Sequence, residues 1–96
     1  MRLPKNRCPT HPGEVLLKEF LVPMDITQST LAKHLGWTYA RVNEIVNGKR
    51  GVTADTALAL AEAFDIEADF WLNLQMAYDL WNAMQKHKKV KPLLAA

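Results

Sequence analysis

The sequence has little that would favour a secreted, membrane-bound or metal-dependent protein. Its 96 residues include one cysteine, Cys8, which excludes an internal disulfide and suits a reducing compartment. No apolar run approaches the roughly 20 residues that span a bilayer, and no apolar signal segment stands at the N-terminus. The three histidines are scattered, without the spacing of metal ligands. We therefore expect a soluble protein of the cytoplasm with no metal, cofactor or membrane partner.

Signatures of catalysis are equally scarce. No strand is predicted, so no glycine-rich phosphate loop can follow one. The acids Asp65, Glu67 and Asp69 alternate before a predicted helix, where negative charge suits the helix N-terminus. Calcium binding at these acids would require more ligands and a longer loop. An enzyme is therefore not expected, and neither is a small-molecule substrate.

Capping residues and apolar spacing predict an all-α fold of five helices. Pro12 suits the first turn of a helix that Pro23 ends, and the threonines at 27, 38 and 53 are good N-caps for the next three helices. The last helix is predicted over residues 68–85. On the fourth helix, the residues available for the core are Leu58, Leu60, Ala61 and Phe64. The predicted organisation is a flexible basic arm (1–10), a single domain (11–85) and a basic flexible tail (86–96).

Residues 28–47 carry the most informative pattern. Two short helices are joined by a tight turn at 35–38, with the small residue Ala32 where the helices cross and Gly36 where the turn needs a positive φ. The inward-facing apolar residues are Leu31, Leu35, Val42 and Ile45. This combination predicts a helix-turn-helix, a motif that places its second helix in the major groove of DNA.

The outer face of that second helix supplies the predicted base contacts. Arg41 is expected to pair with guanine and Asn43 with adenine, while Tyr39 meets a phosphate or a thymine methyl. Phosphate contacts are expected at the two helix N-termini and in the following loop. An ordinary surface role for Tyr39 and Asn43 remains an alternative. The predicted DNA-binding residues are Gln28, Thr38, Tyr39, Arg41, Asn43, Lys49 and Arg50.

Charge is divided along the chain. Residues 26–52 hold four basic side chains and one acid, a net +3, whereas residues 53–85 hold six acids and no lysine or arginine, a net −6. Residues 26–52 could therefore approach a polyanion, whereas residues 53–85 would be repelled by it. Glu44, the acid of residues 26–52, faces outward, where it is unfavourable unless it accepts from cytosine N4. A salt bridge from Glu44 to Lys49 or Arg41 is the alternative that we favour.

The last helix is apolar on more than one side. One domain of this size covers one stripe, and a partner commonly covers a second. Helix-turn-helix proteins usually bind DNA as two-fold dimers, since one recognition helix reads only a few base pairs. The alternative is that the aromatic side chains of this helix cover the core of a small monomer. The predicted homodimer interface contains Trp71, Leu74, Tyr78 and Trp81.

Several segments resemble the HigA/VapI antitoxins, a branch of the lambda-repressor-like (XRE) helix-turn-helix proteins. The resemblance covers residues 11–82, and its most specific part is the run RVNEIVNGKRGVTADTALALA. It implies an antitoxin of a type II toxin–antitoxin pair, which binds a HigB-like mRNA-cleaving toxin and represses its own operon by binding operator DNA. It also implies DNA contacts at the same predicted residues. Residues 37–40 depart from the small and polar residues often found in this family, so the operator sequence cannot be transferred.

Rival functions remain at this point. The chain could be a stand-alone XRE-family transcriptional regulator without a toxin, or a protein-interaction module that has lost DNA binding. RNA binding is a minor alternative, because no sheet with surface aromatics is predicted. No motif marks the toxin-binding surface, for which the basic N-terminal arm and the first helix are the candidates.

Overall fold

Helices make up the regular structure, as the capping pattern predicts. The computed structural model describes residues 3–4 and 6–94, and this part of the chain contains five helices and no strand. Residues 1, 2 and 5 of the predicted arm and residues 95–96 of the predicted tail lie outside it. The first helix, α1 (Pro12–Val15), continues directly as a π-helical segment (Leu16–Leu21). The other helices are α2 (Gln28–Leu35), α3 (Tyr39–Val46), α4 (Ala54–Phe64) and α5 (Ala68–Lys86).

The three predicted threonine caps are confirmed. The hydroxyls of Thr27, Thr38 and Thr53 each accept a hydrogen bond from the backbone N–H three residues later, at 3.0, 3.1 and 3.4 Å. Each hydroxyl satisfies one N–H that the first helical turn leaves without an acceptor. Gly36 ends α2 at a φ of 72°, the left-handed conformation that the turn was predicted to need. These local rules fix the boundaries of the helix-turn-helix.

The first helix differs from the regular helix that its apolar spacing predicts. Within the π-helical segment, the N–H of Val22 donates to the carbonyl of Leu17 at 2.9 Å, a bond spanning five residues instead of four. The wider turn suits the spacing of Leu16 and Leu21, which are five residues apart and both fully buried. The extra residue in the turn therefore keeps both leucines in the core.

One core joins all five helices. Its buried members are Leu16, Leu21, Leu31, Ala32, Val42, Ile45, Val46, Val52, Ala57, Leu60 and Trp71. The prediction that Leu58 belongs to this core is wrong, since its side chain is 56% exposed. Thr56 and Leu60 are buried, and Leu58 is two residues from each of them, about 200° away around the helix. It therefore lies on the outer face of α4.

Close packing fixes α3 on the rest of the fold. The first helix crosses α3 so tightly that a Cβ on Gly13 would overlap the carbonyl oxygen of Ile45. After α3, the backbone N–H of Val52 donates to Oε1 of Gln75 on α5 at 2.7 Å. The helix predicted to enter DNA is therefore held from behind by α1, and the loop that follows it is held by α5.

The N-terminal arm lies along α5 where it is described. The indole N–H of Trp81 donates to the carbonyl oxygen of Pro4 at 3.1 Å, and Nδ2 of Asn82 lies 3.7 Å from Sγ of Cys8. The predicted flexible arm thus makes specific contacts with the last helix. Residues 87–94 are exposed and contain no helix or strand.

Candidate nucleic-acid interface

The start of α3 is presented to solvent by the turn that precedes it. After Gly36, the N–H of Trp37 donates to the carbonyl of Ala32 at 2.8 Å, which closes the turn on the end of α2. Thr38 is exposed at the N-cap, and Tyr39, the first residue of α3, is 53% exposed. The hydroxyl of Thr38 accepts from the backbone of its own helix and keeps its hydrogen available for another acceptor. Polar groups therefore stand at the tip of the helix predicted to enter the groove.

A chain of side-chain amides links α2 to α3. Nδ2 of Asn43 donates to Oε1 of Gln28 at 3.1 Å, and Nδ2 of Asn47 donates to Oδ1 of Asn43 at 3.1 Å. Gln28 and Asn43 are half-buried, so the bond between them fixes both side chains. The amide of Asn43 retains a second hydrogen and a second lone pair, the donor and acceptor that adenine recognition requires.

Arg41 is held by two residues that the sequence analysis did not single out. Its guanidinium carbon lies 3.8 Å from the centre of the Trp37 ring, and Nη2 donates to Oγ1 of Thr56 on α4 at 3.2 Å. Its Nε is buried and has no hydrogen-bond partner among the described residues. The edge formed by Nε and Nη2 is thus turned towards the protein, with Nη2 bonded to Thr56 and Nε buried. A two-pronged contact with guanine would use the Nη1 and Nη2 ends.

Some of these partners carried a sequence signal and others did not. Trp37 stands four residues before Arg41, a spacing at which a cation and an aromatic ring commonly meet at the start of a helix. Asn47 likewise follows Asn43 by four residues. Thr56 is fifteen residues from Arg41, and only the packing of α4 against α3 brings the two together.

Glu44 forms a salt bridge, but not with the predicted partner. Both Nη2 and Nε of Arg50 donate to Oε1 of Glu44, at 2.8 and 3.0 Å. The predicted pairing with Lys49 or Arg41 is therefore wrong. Gly48, at a φ of 72°, reverses the chain so that the N–H groups of Lys49 and Arg50 both approach the carbonyl of Glu44. This turn returns the Arg50 side chain to α3, while the Lys49 side chain is exposed.

All seven predicted DNA-binding residues lie on three adjoining segments. These segments are the first turn of α2, the cap and body of α3, and the loop that follows α3. Hydrogen bonds join Gln28 to Asn43 and Thr38 to Arg41. The result is a polar face of net positive charge with aligned amides at its centre.

The residues predicted for a dimer interface are wholly or partly covered by packing within the single chain. Trp71 is fully buried among aromatic rings, with its ring centre 5.2 Å from that of Phe20. Tyr78 packs edge-on against His11, and Trp81 donates to the arm. Leu74, the remaining predicted residue, is half-buried. An outer stripe of α5 is left uncovered in the described part of the chain, and it contains Met76, Leu80, Ala83 and Met84, with the half-buried Leu72 at its edge.

His11 caps the first helix from a nearly buried position. Its Nδ1 accepts the N–H of Gly13 at 2.9 Å, and its ring meets that of Tyr78 at 4.8 Å. Burial lowers the pKa of His11 below its ordinary value, and the carboxylates of Asp79 and Glu14 partly offset this shift. The neutral ring is the form that can accept at Nδ1, so burial and capping favour the same protonation state.

Two further structural findings concern the whole described chain. None of its helices combines the length and apolarity needed to cross a membrane. Within residues 3–4 and 6–94, no three histidine, cysteine or acidic side chains form a group suited to a metal ion.

Comparison with known proteins identifies the class of this chain. The sequence profile described as "Helix-turn-helix" matches residues 17–71, the span from the first helix to the start of α5. Virulence-associated protein I of Dichelobacter nodosus is 46% identical over 91 residues, which cover 94% of this chain and 84% of that protein. The chain belongs to the helix-turn-helix family, in the XRE-type branch that includes the HigA and VapI proteins.

Solved structures of relatives share the fold. The Pseudomonas aeruginosa antitoxin HigA, determined with the higBA promoter, superposes with a TM-score of 0.81 at 43% identity, covering 90% of this chain and 99% of that one. The antitoxin GraA, in complex with its operator, superposes with a TM-score of 0.84 at 40% identity, covering 98% and 100%. The family consists of DNA-binding regulators and antitoxins, not of enzymes.

Proposed function

We propose that this chain is an antitoxin that represses its own operon and neutralises a small HigB-like mRNA-cleaving toxin. The observation that supports operator binding is the exposed polar face of α3, with its aligned amides and the basic loop beside it. The similarity to an antitoxin solved with its promoter supports the antitoxin role. Chromosomal DNA and the toxin's mRNA substrate are both cytoplasmic, and the proposal places the chain there.

The proposed docking puts α3 in the major groove, which admits an α-helix. Asn43 recognises adenine by donating from Nδ2 and accepting at Oδ1, in the orientation that Gln28 fixes. Arg41 recognises guanine through the Nη1 and Nη2 ends of its guanidinium. Tyr39, exposed at the start of the helix, contacts a thymine methyl or a phosphate.

The proposed phosphate contacts surround these base contacts. Gln28 and Thr38 stand at the N-termini of α2 and α3, where the helix dipole favours an anion. Lys49 and Arg50 lie in the loop after α3, beside the path expected for the DNA backbone. Such contacts supply affinity and register, and the base edges supply specificity.

A homodimer is part of the proposal. The eight residues of α3 reach only a few base pairs, so two copies related by a two-fold axis are needed to recognise an operator. We assign the interface to the outer stripe of α5, in which Met76 is 56% and Leu80 is 45% exposed. Trp71 is left out of this assignment because the monomer already buries it completely.

The proposed toxin-binding surface comprises the N-terminal arm and the outer side of the first helix. Glu14, Lys18 and Glu19 are exposed there. They belong neither to the α3 face nor to the α5 stripe, so a toxin on this surface would leave DNA binding and dimerisation possible.

Co-expression with the neighbouring gene tests the antitoxin role. We expect a short adjacent reading frame whose expression alone arrests growth, and we expect this chain to restore growth and to co-purify with the product. The Arg41→Ala variant is the matched control, since it should still neutralise the toxin after losing operator preference. Growth arrest that persists, together with intact operator binding, would instead identify a stand-alone XRE-family regulator.

A further inference from the structure

Glu44 occupies the centre of the DNA-binding face, where an acid is unexpected. It is two residues from both Val42 and Val46, which are buried, and therefore lies about 200° from each of them around α3. Its side chain is 44% exposed. A bare carboxylate at this point would meet a surface of phosphates and be repelled. The function proposed above does not use this residue.

Arg50 changes the electrostatics of this position. Two of its nitrogens donate to a single carboxylate oxygen, Oε1, which makes the pair neutral overall. Among the described residues, no group donates to the other oxygen, Oε2. A pair this exposed contributes at most about 1 kcal/mol to folding, so stability is a weak reason for an acid here. What the pair does provide is one oriented hydrogen-bond acceptor on the outer face of α3.

The chemistry of base edges selects the partner of that acceptor. A carboxylate only accepts hydrogen bonds. In the major groove, guanine presents two acceptors and thymine an acceptor beside a methyl group. Adenine presents its amino donor beside the N7 acceptor, which would repel a carboxylate. Cytosine presents its N4 amino group as the donor.

We infer that Glu44 is a specificity-determining residue that recognises cytosine N4 through Oε2, and that Arg50 is the residue that positions it. The inference rests on the operator binding proposed above. It replaces the phosphate contact proposed above for Arg50: Lys49 contacts phosphate, whereas the Arg50 guanidinium stays on Glu44. The rival outcome is that Arg50 leaves Glu44 for a phosphate when DNA binds.

Single-base substitution of the operator tests this inference. The duplex is the DNA upstream of the chain's own gene, and each C·G pair is replaced in turn for the wild-type protein, Glu44→Ala and Glu44→Gln. We expect wild-type affinity to fall roughly 5- to 100-fold at one C·G pair per half-site. Glu44→Ala should lose this preference at that pair alone. Glu44→Gln should prefer adenine there, because an amide pairs with adenine N6 and N7.

Two controls separate base recognition from other effects. A cytosine analogue without the N4 amino group should weaken wild-type binding as much as substitution does, and should leave Glu44→Ala unaffected. Arg50→Lys, which keeps the charge but not the two-pronged grip, should reduce the preference at the same pair, whereas Lys49→Ala should weaken all duplexes alike.

Failure of the inference about Glu44 and failure of the proposed function give different results. If Glu44→Ala keeps the wild-type profile at every pair, or binds all duplexes more tightly with that profile unchanged, the inference about Glu44 is wrong and the operator-binding function stands. If the wild-type protein does not prefer the upstream duplex at all, both the inference and the proposed function are wrong.

Discussion

Arg41, which we propose as a base-contacting residue, is held by contacts that both stabilise and destabilise the fold. Its stacking on Trp37 is worth about 0.5–2 kcal/mol. The buried Nε without a partner costs about 1–3 kcal/mol, which offsets part of what the stacking and the Nη2–Thr56 hydrogen bond contribute. The net contribution of Arg41 to folding is therefore modest, and the stacking also fixes the plane of the guanidinium.

Replacement of Arg41 should separate binding from folding. Arg41→Ala is expected to lower operator affinity by about 1–3 kcal/mol and to relax specificity at one base pair. The free energy of unfolding should change by less than about 2 kcal/mol, since the cost of the buried Nε offsets part of the stacking and of the Nη2–Thr56 bond. Titration of operator variants and chemical unfolding measure the two quantities, with the exposed Lys18→Ala on the first helix as control. An unchanged base preference would remove Arg41 from recognition.

His11 should make stability depend on pH. Because burial lowers the pKa of His11 in the folded state, the unfolded chain takes up a proton first as the pH falls below the ordinary value of 6.5. The contribution of His11 is thus complete above pH 6.5 and is lost as the pH falls through its folded-state pKa. Protonation also removes the Nδ1 acceptor of the Gly13 N–H.

The matched variant is His11→Asn, which retains a capping acceptor and does not titrate. Chemical unfolding between pH 7.5 and 5 should show a fall in the wild-type free energy of unfolding that this variant lacks. His87→Asn, at the exposed end of α5, should behave as the wild type. A wild-type stability that rises towards pH 5 would contradict this account of His11.

Among the helices, the crossing of α1 on α3 determines where the recognition helix stands. Gly13→Ala should lower the free energy of unfolding by about 1–3 kcal/mol or more, because its Cβ has backbone and not a flexible side chain in its way. Gly36→Asn is the control, since Gly36 has open space and asparagine tolerates its positive φ. Thermal unfolding compares the two. Equal melting temperatures for Gly13→Ala and wild type would show that the crossing is not tight.

The helices were predictable from sequence to different degrees. Those of the helix-turn-helix obey local rules, a threonine cap and a left-handed glycine, and both are visible in the sequence. The π-helical segment was not predicted, because Leu16 and Leu21 are consistent with a regular helix until their common core is known. The apolar residues on several sides of α4 make Leu58 a core candidate from sequence, and only the packing of α4 on α5 selects the inner face.

The site was predictable as a location but not as a set of contacts. Its residues follow from the helical wheel of α3 and the loop after it. The bonds from Arg41 to Thr56 and from Asn43 to Gln28 each span fifteen residues, and they depend on how α2, α3 and α4 pack. The partner of Glu44 depends on the turn at Gly48, whose geometry does not follow from the residue pattern alone.

At the scale of the whole molecule, the proposed dimer interface on the outer stripe of α5 can be tested by substitution. A charge at the centre of an apolar dimer interface is strongly unfavourable, so Leu80→Glu should sediment as a monomer and bind the operator at least roughly tenfold more weakly. Leu58→Glu replaces a leucine of similar exposure on α4 and should remain dimeric. A Leu80→Glu protein that still sediments as a dimer would place the interface elsewhere.

The central claim, that this chain is a sequence-specific operator-binding protein, is tested most directly by a salt titration. Affinity would be measured for the duplex upstream of its own gene and for a shuffled duplex of the same composition, with wild type and Lys49→Ala. The account predicts a clear preference for the upstream duplex, a steep loss of affinity with salt, and a salt slope smaller by about one in Lys49→Ala. Equal affinity for both duplexes, or binding to neither, would contradict it.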